Sequence, residues 1–329
     1  MAIKNGFNGP LFVVGMPRSG TKLFRAILNQ HSCIKMTDAE TEFLPYWAKN
    51  WGRFGDLSSK ENFKKFYNMV VKLPYFKYMR DRGRIIKLDD WHHRCQTYDV
   101  AGVFETLVKH DTGVKDDTVI WGDKSPSYLR HLTLLKTLYP DTKFIHIIRD
   151  VRDYCLSINK TWSKNMIRAT QRWTDDIRKC RSDANGLDDD YLEVLYEDLL
   201  TNTETVVKRT CEFLGVGFEQ QMLQLDKPTE YIGSAKGYIG IYSNNIRKYR
   251  SKMDRDLRIK IESIAADLLR DLSYEIEYDK DPVRVSQSVM RLYQIADGIN
   301  TLKFYYKERG LLQGMFFWWR LFLGSGDRI

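Results

Sequence analysis

Two glycines that lie five residues apart, Gly15 and Gly20, bound a short turn near the start of the chain. Over residues 15–22 the turn reads GMPRSGTK, so it carries one arginine, one lysine and two hydroxyl side chains. Glycine allows a backbone to approach a ligand closely and to adopt positive φ. Guanidinium, ammonium and hydroxyl groups donate hydrogen bonds to phosphate oxygens. This combination predicts a loop that binds a phosphorylated small molecule.

The residues on either side of the turn predict the elements that would hold it. Residues 11–14 read LFVV, which is typical of a buried strand, and the apolar positions after residue 21 follow helical spacing. The N–H groups at a helix start and the helix dipole both favour a bound anion. A strand–loop–helix unit with an anion site at its turn is therefore predicted.

The position of the lysine separates this turn from the loop of nucleotide triphosphatases. In G-x-x-x-x-G-K-[ST], lysine follows the second glycine directly and the next hydroxyl binds magnesium. Here Thr21 follows Gly20, Lys22 comes one position late, and Leu23 stands where a hydroxyl would follow the lysine. The turn therefore lacks the magnesium ligand and suits transfer of a group that is less charged than a phosphoryl group.

The segment PRSGT at residues 17–21 resembles the 5′-phosphosulfate loop of sulfotransferases that use 3′-phosphoadenosine 5′-phosphosulfate (PAPS). Its form is nearest to the tyrosylprotein sulfotransferases and their bacterial relatives. Three later segments are similar to other motifs of the family, in the family's order: WGDKSP at 121–126, KFIHIIRDVRDYCLS at 143–157 and YLEVLYEDL at 191–199. The resemblance covers roughly residues 11–253.

This resemblance implies a role for individual residues. The lysine of the second motif, Lys124, would contact the transferring sulfuryl group together with Arg18. The donor would be bound by residues of the turn, of the two later strand ends and of a late basic segment: Arg18, Ser19, Gly20, Thr21, Lys22, Leu23, Arg149, Ser157, Tyr196 and Lys248. Arg149 and Ser157 would hold the 3′-phosphate, and the glycine-bearing residues 234–240 predict a mobile lid. Arg152 and Asp153 are interpreted as a solvated helix turn.

The catalytic base is predicted from residues 36–45, MTDAETEFLP, which resemble the family's E-E-T-R-x-I-P segment. The resemblance implies that Glu40 is the base that removes the acceptor proton. Glu42 stands where the relatives have arginine, which counts against a tyrosine-peptide acceptor. His92 and His93 are the alternative, because cytosolic sulfotransferases use a histidine.

The resulting interpretation is an enzyme that transfers the sulfuryl group of PAPS to a hydroxyl of a carbohydrate, a lipid or another small molecule, without a metal. Two alternatives stay open at this point. One is a P-loop kinase that uses ATP and magnesium. The other is a membrane-associated protein that binds a nucleotide without catalysis.

Alternating strand and helix patterns predict an α/β fold: a P-loop-like central parallel sheet flanked by helices. Strands are expected near residues 11–15, 33–36, 119–121, 143–149 and 191–196, and helices near 21–30, 127–139, 151–160, 167–182, 204–214 and 254–269. Residues 47–112 are expected to form a helical insertion that selects the acceptor. Residues 1–280 would form the main domain, and residues 281–329 a helical, aromatic-rich extension.

The composition agrees with this interpretation without deciding it. The chain has 329 residues and a net charge of +9, which suits an anionic ligand or a membrane surface. No nucleic-acid-binding motif is visible, and five scattered cysteines favour neither a disulfide framework nor a zinc site. With no signal peptide or spanning segment in the sequence, a cytoplasmic location is expected. The aromatic residues 310–329 are candidates for contact with a membrane surface, or for packing against protein; the oligomeric state stays open.

Overall fold

The computed structural model describes residues 7–309, apart from Asp117 and Ser234. Its centre is a sheet of five parallel strands in the order β2-β3-β1-β4-β5. The strands are β1 (Leu11–Gly15), β2 (Ile34–Met36), β3 (Ile120–Lys124), β4 (Lys143–Ile148) and β5 (Tyr191–Leu195). All five predicted strands are confirmed, with ends shifted by a few residues at most.

Helices cover both faces of the sheet. They are α1 (Thr21–Leu28), α2 (Leu44–Asn50), α3 (Lys60–Val70), α4 (Pro74–Asp81), α5 (Leu88–Arg94), α6 (Val100–Thr112), α7 (Leu132–Leu138), α8 (Val151–Trp162), α9 (Met166–Asp183), α10 (Tyr196–Thr201), α11 (Thr203–Leu214), α12 (Tyr249–Lys252), α13 (Arg255–Asp271) and α14 (Gln287–Arg309). The side chains of β1 alternate between the two faces: Phe12 and Val14 pack with α8 and α9, whereas Leu11 and Val13 pack with α1 and α11. The predicted α/β fold is therefore confirmed.

The predicted insertion consists of α2 to α6, and an aromatic cluster holds it together. Trp47, Phe66 and Trp91 are almost fully buried there. The rings of Trp47 and Phe66 meet edge to face, with centroids 5.1 Å apart. The cluster is continuous with the core on the α8 and α9 face of the sheet, so the insertion is part of the main body.

Two local details differ from the predictions. The strand expected at 119–121 is present but continues as β3 to Lys124, so this lysine ends a buried strand. The helix expected over 127–139 is divided: a 3₁₀ turn spans Pro126–Arg130, and α7 begins only after His131, whose φ of −131° is not helical. The 3₁₀ turn packs against β1 and α9.

The strand order sets the place of the candidate site. β1 lies between β3 and β4, and the connections of the chain leave this centre in opposite directions. In open parallel sheets, ligands bind at such a switch point, outside the carboxyl ends of the strands. The turn after β1 and the segment after β4 both reach this edge.

The helix predicted in the C-terminal extension is present as α14. Asp297 in this helix is buried and accepts a hydrogen bond from Nη1 of Arg168 in α9, at 2.8 Å. The aromatic segment 310–329 lies outside the described residues, and the domain boundary near residue 280 stays a prediction. Within the described part of the chain, no helix is both long and apolar enough to cross a bilayer.

Candidate functional site

The turn between β1 and α1 has the backbone that its sequence predicts. Gly20, at the start of α1, has a φ of +94°, and Arg18 has a φ of +73°. Ser19 is fully buried, and its N–H donates to the carbonyl of Met16 at 3.1 Å, which closes the turn. The side-chain Oγ of Ser19 is buried without a hydrogen-bond partner in the structure. A buried polar atom that no protein group satisfies indicates a place for a ligand atom.

The turn meets the segment after β4. Nη1 of Arg149 donates to the backbone carbonyl of Arg18 at 3.0 Å. Nε of Arg18 donates in turn to Oγ of Ser157, on α8, at 3.4 Å. The structure therefore brings the predicted 5′ and 3′ phosphate residues into direct contact.

Tyr196 forms the floor of this region. Its ring packs on Gly20 so closely that an added Cβ there would lie 2.3 Å from the ring. The guanidinium of Arg149 lies 4.6 Å from the ring centroid, which is within cation–π range. Burial raises the pKa of the Tyr196 phenol. Its hydroxyl accepts a hydrogen bond from Nδ2 of Asn245 at 2.7 Å.

Lys248 lies beside the same group, and Asn245 connects the two. Nζ of Lys248 donates to Oδ1 of Asn245, and the carbonyl of Asn245 accepts from Nη2 of Arg149 at 3.0 Å. Burial, and then the charge of Arg149, lower the pKa of Lys248. Asn245 was not predicted from the sequence, although it lies in the basic segment that contains Lys248, because an uncharged amide in such a segment carries no phosphate-binding signal of its own.

Lys124 and Glu40 form an ion pair at the end of β3. The lysine side chain is fully buried, whereas the Glu40 side chain is one-third exposed. Burial lowers the pKa of Lys124, and the nearby charges of Arg25 and Lys22 act in the same direction, while Glu40 opposes them. Lys22, in the first turn of α1, thus lies close enough to influence the pair.

The loop that carries Glu40 is fixed to the same strand end. Thr37 and Thr41 both donate to the carboxylate of Asp123, at 2.7 and 3.0 Å. The N–H of Glu42 donates to Oγ of Ser125 at 3.2 Å. Burial raises the pKa of Asp123, against the effect of these hydrogen bonds. Asp123 was also missed, although its position next to Lys124 on an alternating strand places it on the opposite face, toward this loop.

The two histidines considered as alternative bases lie in the insertion. Nε2 of His92 is 3.0 Å from the carbonyl of Ser58, and its ring packs against Phe63 and Tyr98. His93 is exposed on the same helix. The structure thus brings Glu40, and not His92, next to Lys124.

The interpretation of Arg152 and Asp153 as a solvated turn was wrong, because both residues are 1% exposed. Arg152 forms ion pairs with Asp150, at 2.7 Å, and with Glu262 of α13. Asp153 accepts a hydrogen bond from the N–H of Tyr249, at 2.9 Å. This network attaches the start of α8 to the segment that carries Lys248.

The residues present fit a nucleotide with two phosphate groups. Buried atoms without a partner are found in both parts of the site, Oγ of Ser19 and Nε of Arg149. At Gly15 an added Cβ would lie 2.4 Å from the carbonyl oxygen of Ile147, so the turn stays tight against β4. A cleft lined by Arg18, Arg149 and Tyr196 lies between the turn and the segment after β4. The described residues contain no group of three side chains placed to hold a metal ion.

The fold and the site together define an α/β protein with a P-loop-like anion site at the switch point of its sheet. The sequence profile of the sulfotransferase family matches residues 10–220, more than half of the chain. The chain therefore belongs to the sulfotransferase family, and it is an enzyme of sulfuryl transfer.

Relatives with this activity in their names share about a quarter of the aligned residues. A putative protein-tyrosine sulfotransferase of Caenorhabditis briggsae is 26% identical over 232 residues, which cover 67% of this chain and 70% of the relative. Protein-tyrosine sulfotransferase 1 of Danio rerio is 24% identical over 240 residues, which cover 69% of this chain and 58% of the relative. The chain thus spans well under the full length of these relatives.

Solved structures share the fold. The sulfotransferase domain of the curacin biosynthetic pathway superposes with a TM-score of 0.55 at 20% identity, covering 82% of this chain and 99% of that domain. The sulfotransferase domain of the Synechococcus PCC 7002 olefin synthase gives a TM-score of 0.52 at 21% identity, covering 84% and 99%. Because the identities are low, these two domains support the fold alone.

Proposed function

We propose that the donor of this sulfotransferase is PAPS and that it binds across the switch point of the sheet. The observation that carries this proposal is the contact between the turn and the segment after β4, where Arg149 donates to the carbonyl of Arg18 at 3.0 Å. Two anion-binding groups side by side suit one molecule with a phosphate at each end. The turn would hold the phosphosulfate, while Arg149, Ser157 and Lys248 would hold the 3′-phosphate.

Glu40 is proposed as the base and Lys124 as the group that stabilises developing charge. Glu40 accepts the proton of the acceptor hydroxyl as the acceptor oxygen forms its bond to sulfur. The bond between sulfur and the bridging phosphate oxygen breaks, and adenosine 3′,5′-bisphosphate leaves with that electron pair. Lys124, Arg18 and the N–H groups of the turn stabilise the negative charge on the bridging oxygen. Because Lys124 is fully buried, its charge acts there with little screening by water.

The acceptor is proposed to carry a hydroxyl group and to enter beside Glu40, under the helical insertion. The named relatives are protein-tyrosine sulfotransferases. In this chain Glu42 is exposed in the loop that carries Glu40, and it replaces the arginine expected there. Two carboxylates at the entrance disfavour an acidic peptide by like-charge repulsion, so a neutral or basic acceptor such as a carbohydrate or a lipid headgroup is favoured.

The test is sulfuryl transfer from labelled PAPS in a chelator, with ATP and magnesium as the kinase control. Product can be followed as adenosine 3′,5′-bisphosphate, with cell extract as the acceptor source. We expect Glu40→Gln to lower turnover by about 10²–10⁴-fold, the range of general-base catalysis, and to bind the bisphosphate as the wild type does. Glu61→Gln, a change of an exposed carboxylate on α3, is the matched control. Full turnover by Glu40→Gln would remove Glu40 from the mechanism, and phosphoryl transfer from ATP would replace the proposed function.

We further propose that residues 310–329 bind the surface of an anionic membrane from the cytoplasmic side. The support comes from the sequence GLLQGMFFWWRLFLGSGDRI, which combines aromatic and aliphatic residues with arginine. It follows α14 directly, and α14 exposes Leu292, Ile295 and Ile299 on one side. An apolar surface next to basic residues is suited to an anionic lipid interface.

A further inference from the structure

The donor cleft is covered by residues 224–248, called here the cover segment. Apart from Ser234, which is not described, the segment has no helix or strand, and an isolated backbone bridge joins Pro228 to Ile239. Thr229, Glu230 and Tyr242 of this segment line the cleft, opposite Arg18 and Tyr196. The protein thus places part of its own chain over the predicted nucleotide.

The cover segment accepts hydrogen bonds from the guanidinium of Arg18. Nη1 donates to Oε2 of Glu230 at 2.7 Å, and Nη2 donates to the carbonyl of Ile232 at 3.0 Å. With Nε directed to Ser157, every nitrogen of this guanidinium has a protein partner. The side chains of the ion pair are only 9% and 13% exposed, so water screens it little.

The backbone is shaped for this contact. Gly233 has a φ of +84°, and an added Cβ there would lie 2.4 Å from Nη2 of Arg18. A side chain at this position would strain the backbone and would have to displace either the end of Arg18 or the cover segment. The contact is therefore a close fit of backbone and carboxylate around one guanidinium.

The cover segment is attached more firmly at its C-terminal end than in its middle. At its C-terminal end, the carbonyl of Asn245 binds Arg149, and the next residue after the segment, Tyr249, binds Asp153. In the middle the side chains are open to solvent, with Tyr231 70% and Ile239 56% exposed. Few buried contacts oppose an opening movement about the 245–249 attachment. The ion pair between Glu230 and Arg18 is the main polar contact that keeps the middle of the cover segment over the cleft.

We propose that Glu230 is a displaceable counter-ion that holds the cover segment closed until a phosphate group replaces it. A carboxylate and a phosphate offer the same chemistry to arginine, a pair of anionic oxygens that accept from two N–H groups. The carboxylate of Glu230 and a phosphate group therefore cannot both accept hydrogen bonds from the same N–H groups of Arg18. Because only the opened form offers the arginine to the donor, the apparent dissociation constant is raised by the reciprocal of the opened fraction. Glu230 thereby sets the donor affinity.

The test measures the binding of adenosine 3′,5′-bisphosphate by calorimetry in a chelator. Glu230→Gln keeps the shape of the side chain and removes its charge, and we expect the dissociation constant to fall by about tenfold, equal to about 1.4 kcal/mol. Glu230→Asp keeps the charge but shortens the side chain, so its dissociation constant should lie between those of the wild type and Glu230→Gln. Asp226→Asn is the matched control, because it removes an exposed charge from the same segment, and it should change the constant by less than about twofold.

Trypsin cleavage after the exposed Lys236 gives a second readout. Without nucleotide, Glu230→Gln should be cleaved faster than the wild type, because the segment opens more often. The proposal would be overturned if a folded Glu230→Gln bound the nucleotide as weakly as the wild type, or more weakly, and was cleaved at the same rate. Circular dichroism verifies that the variant is folded. If Glu230→Gln does not fold, the same two measurements on Glu230→Asp decide. This inference rests on the proposed donor. If the wild type itself does not bind the bisphosphate, the donor assignment fails as well, and that result is distinct from binding that Glu230 does not affect.

Discussion

The contact between Gly20 and Tyr196 joins the turn to the end of β5, and replacing Gly20 with alanine tests how tightly they fit. The new Cβ would lie 2.3 Å from Cδ2 and 2.5 Å from Cε2 of the Tyr196 ring. The ring cannot move freely, since Tyr196 is 5% exposed and its hydroxyl is bound by Asn245. The substitution therefore forces either the turn or the ring out of place.

The expected loss of stability has two parts. Alanine at a φ of +94° costs about 1–2 kcal/mol, because an L side chain disfavours left-handed backbone. Overpacking against the ring adds about 1–3 kcal/mol. Together the free energy of unfolding should fall by about 2–5 kcal/mol. Affinity for adenosine 3′,5′-bisphosphate should fall as well, because Tyr196 and the turn both line the cleft.

Gly113→Ala is the matched control. Gly113 has a φ of +72° at the end of α6, and an added Cβ there meets no atom within 4 Å. Gly113→Ala therefore has only the cost of an L side chain at positive φ, without overpacking. The effect of alanine on the unfolded chain is common to both variants. Urea unfolding should thus place Gly20→Ala about 1–3 kcal/mol below Gly113→Ala. Equal losses, with nucleotide affinity unchanged in both, would show that the Gly20–Tyr196 contact is not tight.

Two further predictions concern stability and membrane binding. Burial, followed by the charge of Asp150, raises the pKa of Glu197 from 4.5 to about 7. The folded protein then keeps a proton that the unfolded chain has lost, so this group lowers stability as the pH rises from about 4.5 to 7. From pH 5 to pH 8, the free energy of unfolding of Glu197→Gln, measured with urea, should rise by about 2–3 kcal/mol relative to that of the wild type. A difference that stays constant with pH would contradict this sign. Deletion of residues 310–329 should abolish sedimentation with vesicles that contain phosphatidylserine, and neutral vesicles are the control; binding that survives the deletion would refute the membrane proposal.

Much of the fold follows from local patterns. The apolar strands and the turn after β1 were predictable because their period and their glycines determine local geometry. The division at His131 was not predictable, because the apolar spacing of residues 127–139 fits an unbroken helix. The 3₁₀ turn before the break packs against β1 and α9, and these are contacts that local spacing does not encode.

The motif residues of the candidate site were named from the sequence, but their supports were not. Asp123 accepts a hydrogen bond from Thr41, 82 positions away, and Asn245 donates one to Tyr196, 49 positions away. No spacing rule links residues at such separations. Arg152 was assigned to solvent because charged residues in a first helical turn are usually exposed, and its burial depends on Glu262 of a distant helix.

The central claim is that one nucleotide joins the turn of Arg18 to the segment of Arg149. It is tested most directly by calorimetry of the wild type, in a chelator, with adenosine 3′,5′-bisphosphate, adenosine 5′-phosphate and adenosine 3′-phosphate. Each charge-assisted phosphate contact is worth about 1.5–3 kcal/mol, so the bisphosphate should bind roughly 10–100 times more tightly than either monophosphate. Equal affinity for the bisphosphate and one monophosphate would show that only one of the two groups binds phosphate, and would contradict the account.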